Sequence, residues 1–66
     1  MHYMVMANSQ PYAFVTKVEA MEFIGDRKGE FQLYRFEPDE IDGGFYHPLN
    51  IEAVRLNLER RLNNAA

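Results

Sequence analysis

Glu37, Asp39, Glu40 and Asp42 place four carboxylates within six residues, with no basic side chain among them. Two carboxylates can divide acid and base roles, as in glycoside hydrolysis. That chemistry needs a walled cleft to hold substrate and separate the two pKa values, and 66 residues leave little volume for one. Asp39 and Asp42 could share a cation, but their spacing fits no EF-hand loop. Two readings of the cluster remain: a solvated acidic loop, or an acidic patch that faces a partner.

Other reactive groups are sparse. Ser9 is the only serine and Thr16 the only threonine. Ser9 has no histidine or acid near it in sequence, so a catalytic triad is not expected. Cysteine is absent, which excludes disulfides and thiolate zinc sites. His2 and His47 are far apart and lack ligand spacing, and His47, between Tyr46 and Pro48, reads as structural or exposed. Gly43-Gly44 lacks the lysine and the strand–glycine–helix setting of a phosphate loop. Phe31, Tyr34 and Phe36 could stack single-stranded bases, but their surroundings are acidic, and packing explains them better. No catalytic residue, metal or cofactor is assigned, and an enzyme is not expected.

Length and composition bound the rest. One domain is the only sensible count for 66 residues. A single core of this size rarely supplies more than ~3–5 kcal/mol without a staple. With no cysteine and no metal motif, self-association is the remaining route, and a homodimer is expected. Apolar residues make up 47% of the chain, which rules out compositional disorder. No apolar run approaches the ~18–20 residues of a membrane span. The segment from Met1 to Ala7 lacks the cationic start and the length of a signal peptide, and Met1, Met4 and Met6 are all candidate starts. A cytoplasmic location is expected.

The net charge is −3, and the middle of the chain supplies it. Residues 1–18 are net +1, residues 19–42 net −5 and residues 43–66 net +1. Such a field repels nucleic acid and attracts basic surfaces.

Several elements must position these groups. Tyr3-Met4-Val5-Met6 reads as a short strand, at an edge. Asn8-Ser9-Gln10-Pro11 reads as a turn. Tyr12 to Ile24 is rich in β-branched and aromatic residues and reads as a strand, with a helix over Glu19–Ile24 as the competing reading. Gly25-Asp26-Arg27-Lys28-Gly29 has the length and glycines of a hairpin loop. Glu30 to Phe36 returns as a strand that Pro38 ends. The acidic connection, 37–47, follows.

Asn50 can cap a helix over about 51–63. At 3.6 residues per turn Ile51, Val54, Leu58 and Leu62 fall within roughly 80° of one another. That stripe is expected to pack on the sheet. Leu49, Ala53 and Leu56 point nearly the opposite way and are the candidate dimer or second interface. The predicted fold is α+β: an antiparallel sheet of two or three strands with one C-terminal helix across a face.

A protein that grips DNA presents a cationic groove, and carboxylates can occupy it where phosphates would sit. Strand residues rise about 3.3 Å each, close to the 3.4 Å per charge along one DNA strand. Side chains from a strand end and its loop can therefore imitate a backbone. Charge would speed encounter, while a buried apolar anchor supplies affinity. Phe45 and Tyr46 are placed to be that anchor or to line its pocket. The candidate partner-binding set is thus Glu37, Asp39, Glu40, Asp42, Phe45 and Tyr46.

At these residues the span Val18–Leu62 resembles the small acidic phage-encoded inhibitors of uracil-DNA glycosylase. The shared elements are a strand, a charged turn at Asp26-Arg27-Lys28-Gly29, an aromatic strand, an acidic-aromatic connection and a helix. The helix, with Arg55-Leu56-Asn57-Leu58-Glu59-Arg60 at its centre, carries the likeness furthest. The resemblance implies a homodimer that covers the DNA-binding face of the glycosylase and takes up a protruding enzyme side chain in an apolar pocket. It sets Tyr46 at that pocket.

The expected function is therefore a non-enzymatic phage-type inhibitor of a host DNA-processing or defence enzyme. It would act as an acidic DNA mimic on a host protein with a basic nucleic-acid-binding cleft, without touching nucleic acid or membrane. The alternatives are an anti-CRISPR-like binder of another nucleic-acid effector, and a small structural or regulatory subunit that binds through its helix.

Overall fold

The computed structural model describes residues 2–25 and 29–64. Its elements run β1 (His2–Ala7), β2 (Gln10–Phe14), α1 (Lys17–Ile24), β3 (Phe31–Glu37), β4 (Phe45–Leu49) and α2 (Ile51–Asn64). The strands form one antiparallel sheet in the order β2-β1-β3-β4. The class is α+β as expected, but with four strands instead of two or three and with two helices.

β1 and β2 form a hairpin. Asn8 and Ser9 are its two turn residues, with Ala7 opposite Gln10. Both have positive φ, 51° and 64°, the geometry that matches the natural twist of paired strands. β1 lies in the interior of the sheet, not at an edge, because β3 pairs along its other side. Pro11 in β2 and Pro48 in β4 stand on the two outer strands, where a missing N–H leaves the fewest ladder bonds unmade.

The extended reading of Tyr12 to Ile24 gives way at Thr16. Thr16 has extended backbone and its Oγ1 accepts from the Glu19 backbone N–H at 3.1 Å. The Glu19 carboxylate in turn accepts from the Thr16 hydroxyl. A threonine three residues before a glutamate is a helix-start signal, and here it overrides the β-branched composition. Ala20, Met21 and Ile24 then fall on one buried face of α1. Gly25 ends the helix at φ 54°, donating its N–H to the Met21 carbonyl. The loop read as a strand-to-strand turn therefore joins a helix to β3, and its Asp26, Arg27 and Lys28 lie outside the described residues.

At the second helix Asn50 Oδ1 accepts from the Ala53 N–H at 3.0 Å, the expected cap. Val54 is buried and Ile51 and Leu58 are partly buried against the core. Leu62, expected on the same stripe, is 74% exposed. The packed part of the stripe therefore ends at Leu58. The radius of gyration, 12.8 Å, exceeds the ~10.8 Å typical of a compact chain of this length.

The core is thin. Val5, Ala7, Ala20, Met21, Ile24, Leu33 and Val54 are its buried side chains. All lie between the helices and one face of the sheet. Directly paired residues share a face, so the register sorts the strands. Tyr3, Val5, Ala7, Phe14, Phe31, Leu33 and Leu49 face the helices. His2, Met4, Met6, Pro11, Ala13, Gln32, Tyr34, Phe36, Tyr46 and Pro48 face the other way. The buried side chains of both helices belong to the core on the first face, while Ile51 and Glu52 of α2 reach the margin of the second beside Gln32, Tyr34 and Pro48.

Candidate interaction surface

The acidic segment begins at the end of β3 and forms the loop between β3 and β4. Its four carboxylates differ in role. Glu37 is occupied: its Oε2 lies 3.0 Å from His47 Nε2 and 3.4 Å from Arg35 Nη2. The register explains this, since Arg35 stands opposite His47 and Glu37 is two residues along the same face. Asp39 is a turn former. Its Oδ1 accepts from the N–H groups of Ile41 and Asp42 at 2.8 and 3.1 Å, and its carbonyl accepts from Gly43. Short polar side chains that bond the backbone two residues on fix such turns.

Glu40 and Asp42 are exposed, and neither carboxylate has a partner among the described residues. Between them Ile41 is 90% exposed, the highest value among the exposed large apolar side chains. The Asp39 turn thus holds an apolar knob outward with an unpaired carboxylate on each side. Sequence reasoning missed Ile41, because an isoleucine among acids reads as incidental. The available signal was a β-branched residue inside a turn, where propensity gives it no reason to be.

Phe45 and Tyr46, the expected anchors, belong to β4 instead of the loop. Successive strand residues point to opposite faces, so they do not act together. Phe45 lies opposite Glu37 on the helix side. Tyr46 lies on the bare face, where it joins His2, Tyr34 and Phe36 in an aromatic cluster. The His2 and Phe36 rings stack at 4.5 Å, and Tyr46 lies 5.0 Å from Phe36 and 6.5 Å from Tyr34. Gly44 lets the returning loop lie directly on Phe36, so the loop and this cluster form one continuous end of the molecule.

The second candidate set does not form one surface. Leu49 closes β4 and packs toward the core, while Ala53 and Leu56 lie on the exposed side of α2. A separate open groove of about 550 Å³ runs between the helices, lined by Val18, Met21, Leu58 and Leu62 with Glu22, Arg55, Glu59 and Arg61 at its margins. It holds no nucleophile. Arg55 braces it, donating to Glu52 at 2.8 Å and to the Gly25 carbonyl at 3.1 Å.

Ser9 occupies the β1–β2 turn, near Met6, Asn8, Glu30 and Gln32. Among the described residues no group of three His, Asp or Glu side chains is placed to hold a metal ion. No helix among them is long and apolar enough to cross a membrane. No protein family, curated protein or solved structure matches the chain.

Proposed function

We propose that this protein is a non-enzymatic binder that presents the Ile41 knob and its flanking carboxylates to a basic cleft in a partner protein. The observation that carries this reading is a 90% exposed isoleucine held on a turn by the Asp39 hydrogen bonds. An apolar side chain kept rigidly in water gains from a pocket without a large ordering cost. Glu40 and Asp42 would steer the encounter and then meet cationic groups at the pocket rim. A cleft built for nucleic acid has those groups, so the proposed target class is a host DNA-processing or defence enzyme. The resemblance to phage inhibitors makes uracil-DNA glycosylase the first candidate. Compared with the acidic stretch read from sequence, the active part contracts to Glu40, Ile41 and Asp42.

Two experiments test this. Purified bacterial uracil-DNA glycosylase is assayed on uracil-containing DNA with and without the protein, and inhibition is expected. Wild-type protein and Ile41→Glu are then used as baits in a bacterial lysate, with circular dichroism confirming equal folding. Loss of a captured nucleic-acid enzyme from the variant is expected. An uninhibited glycosylase together with identical capture by both baits would sink the reading.

A second reading, a regulatory subunit that binds through α2, draws on Leu56, which is 55% exposed on the outer side of that helix. Leu56→Glu would then abolish capture while Ile41→Glu would not.

A further inference from the structure

The face of the sheet opposite the helices carries no Asp, Glu, Lys or Arg at any of its ten strand positions. Charged residues are 26% of the chain and belong mostly on surfaces. Half of these ten side chains are exposed and half are partly buried, and a face without charge in contact with water is what a surface covered by a partner would show. Glu30 stands just beyond β3, off one corner, near Met6 and Gln32. We propose that this face packs against the same face of a second copy, forming a two-sheet sandwich with the helices on the outside.

Size favours a sheet as the occupant. Four strands about 4.8 Å apart, rising about 3.3 Å per residue, span roughly 19 by 20 Å. A single helix is only about 10 Å across and would leave half of that width wet. A second sheet covers all of it, at the ~10 Å spacing of packed sheets. Counting side-chain relief, the pair buries on the order of 1,000 Å² in total, at the lower bound for a specific interface.

Shape favours an identical sheet. The bulky side chains Tyr34, Phe36 and Tyr46 lie on the β3–β4 half, and Pro11 and Ala13 lie on the β2 edge. A two-fold axis between the sheets and parallel to the strands sets the bulky half of one face over the slim half of the other. Such an isologous contact is self-complementary. Met4 and Met6, on the central strand β1, are flexible enough to fill what gaps remain.

Charge and stability point the same way. Each copy carries −3, so two copies approach most cheaply through uncharged surfaces. The thin core, without disulfides, also needs a staple that the chain can supply itself. The pair would carry two Ile41 loops, which makes it a bivalent binder.

Sedimentation equilibrium of the full chain tests the proposal, with a mass twice the 7.8 kDa of one chain expected. The melting temperature of wild type is expected to rise with protein concentration, as it does when folding and association are linked. Tyr34→Glu and Tyr46→Glu are expected to weaken the dimer at least 100-fold. Leu56→Glu, Leu62→Glu and Ile41→Glu are expected to leave it intact, so this test and that of partner capture can fail separately. A monomer at all concentrations with a constant melting temperature overturns the proposal, whether or not the face variants fold. So does a dimer that survives Tyr34→Glu and Tyr46→Glu but dissociates with Leu56→Glu or Leu62→Glu.

Discussion

Gly44 lies so close to the ring of Phe36 that a Cβ built on it would overlap the ring edge and come within 3.0 Å of the Glu37 carbonyl oxygen. Its φ of 144° is also one that side chains rarely adopt. Gly44→Ala should therefore cost about 2–4 kcal/mol, combining backbone strain with overpacking. Gly43 has φ 85° but open space around its Cα, so Gly43→Ala should cost only about 1 kcal/mol. Urea denaturation of the two variants measures the difference, and equal losses would mean that the contact with Phe36 contributes nothing.

Glu37 and its neighbours in the loop should separate cleanly in binding kinetics. The Glu37 carboxylate is already paired with Arg35 and lies against the His47 ring, so Glu37→Gln should slow association with a captured partner less than changes at Glu40 and Asp42. Glu40→Gln with Asp42→Asn removes the unpaired charges and should slow association about threefold to tenfold at low salt. The slowing should fade at high salt as screening removes the long-range attraction. Stopped-flow or surface-plasmon rates at two salt concentrations read this directly.

Both helices begin on a side-chain cap, at Thr16 and at Asn50. Thr16→Ala and Asn50→Ala should each lower stability by about 1 kcal/mol. Thr16→Ser should keep most of it, because the hydroxyl remains. Chemical denaturation followed by circular dichroism checks both.

Leu33 is 1% exposed at the centre of the core, and Leu62 is 74% exposed at the end of α2. Leu33→Ala should cost about 2–5 kcal/mol, enough to unfold a domain of this size. Leu62→Ala should change stability by less than about 0.5 kcal/mol. Comparable losses would show that Leu62 is covered in solution.

Much of this architecture could be read from local signals. Asn8-Ser9 announced the first turn, Pro38 the end of β3, and Asn50 with its apolar spacing the second helix. α1 was obscured by Val15, Val18 and Phe23, whose propensities favour a strand; Glu19-Ala20-Met21-Glu22 gave the competing helix reading, which the structure bears out from Lys17 onward, and the pairing of Thr16 with Glu19 is the start signal that sequence reasoning missed. β4 was hidden for another reason. Phe45–Leu49 follows two glycines, contains Pro48 and pairs along one side only, so it exists through its partnership with β3 more than through its own preferences.

The acidic segment was visible as composition, but the division of labour within it was not. That division depends on register, which sets Glu37 beside His47 and leaves Ile41 at the tip of the turn. The uncharged sheet face likewise appears only once four strands are aligned, because its residues come from both halves of the chain.

Pro11 and Pro48 bear on what happens when this protein is abundant. Each interrupts the row of donors along one outer margin of the sheet, so a further strand finds no continuous template on either side. Ribbons and fibrils grow by such lateral addition, and here it is blocked at both ends. Crowding of this chain would then favour face-to-face contacts over strand-by-strand growth.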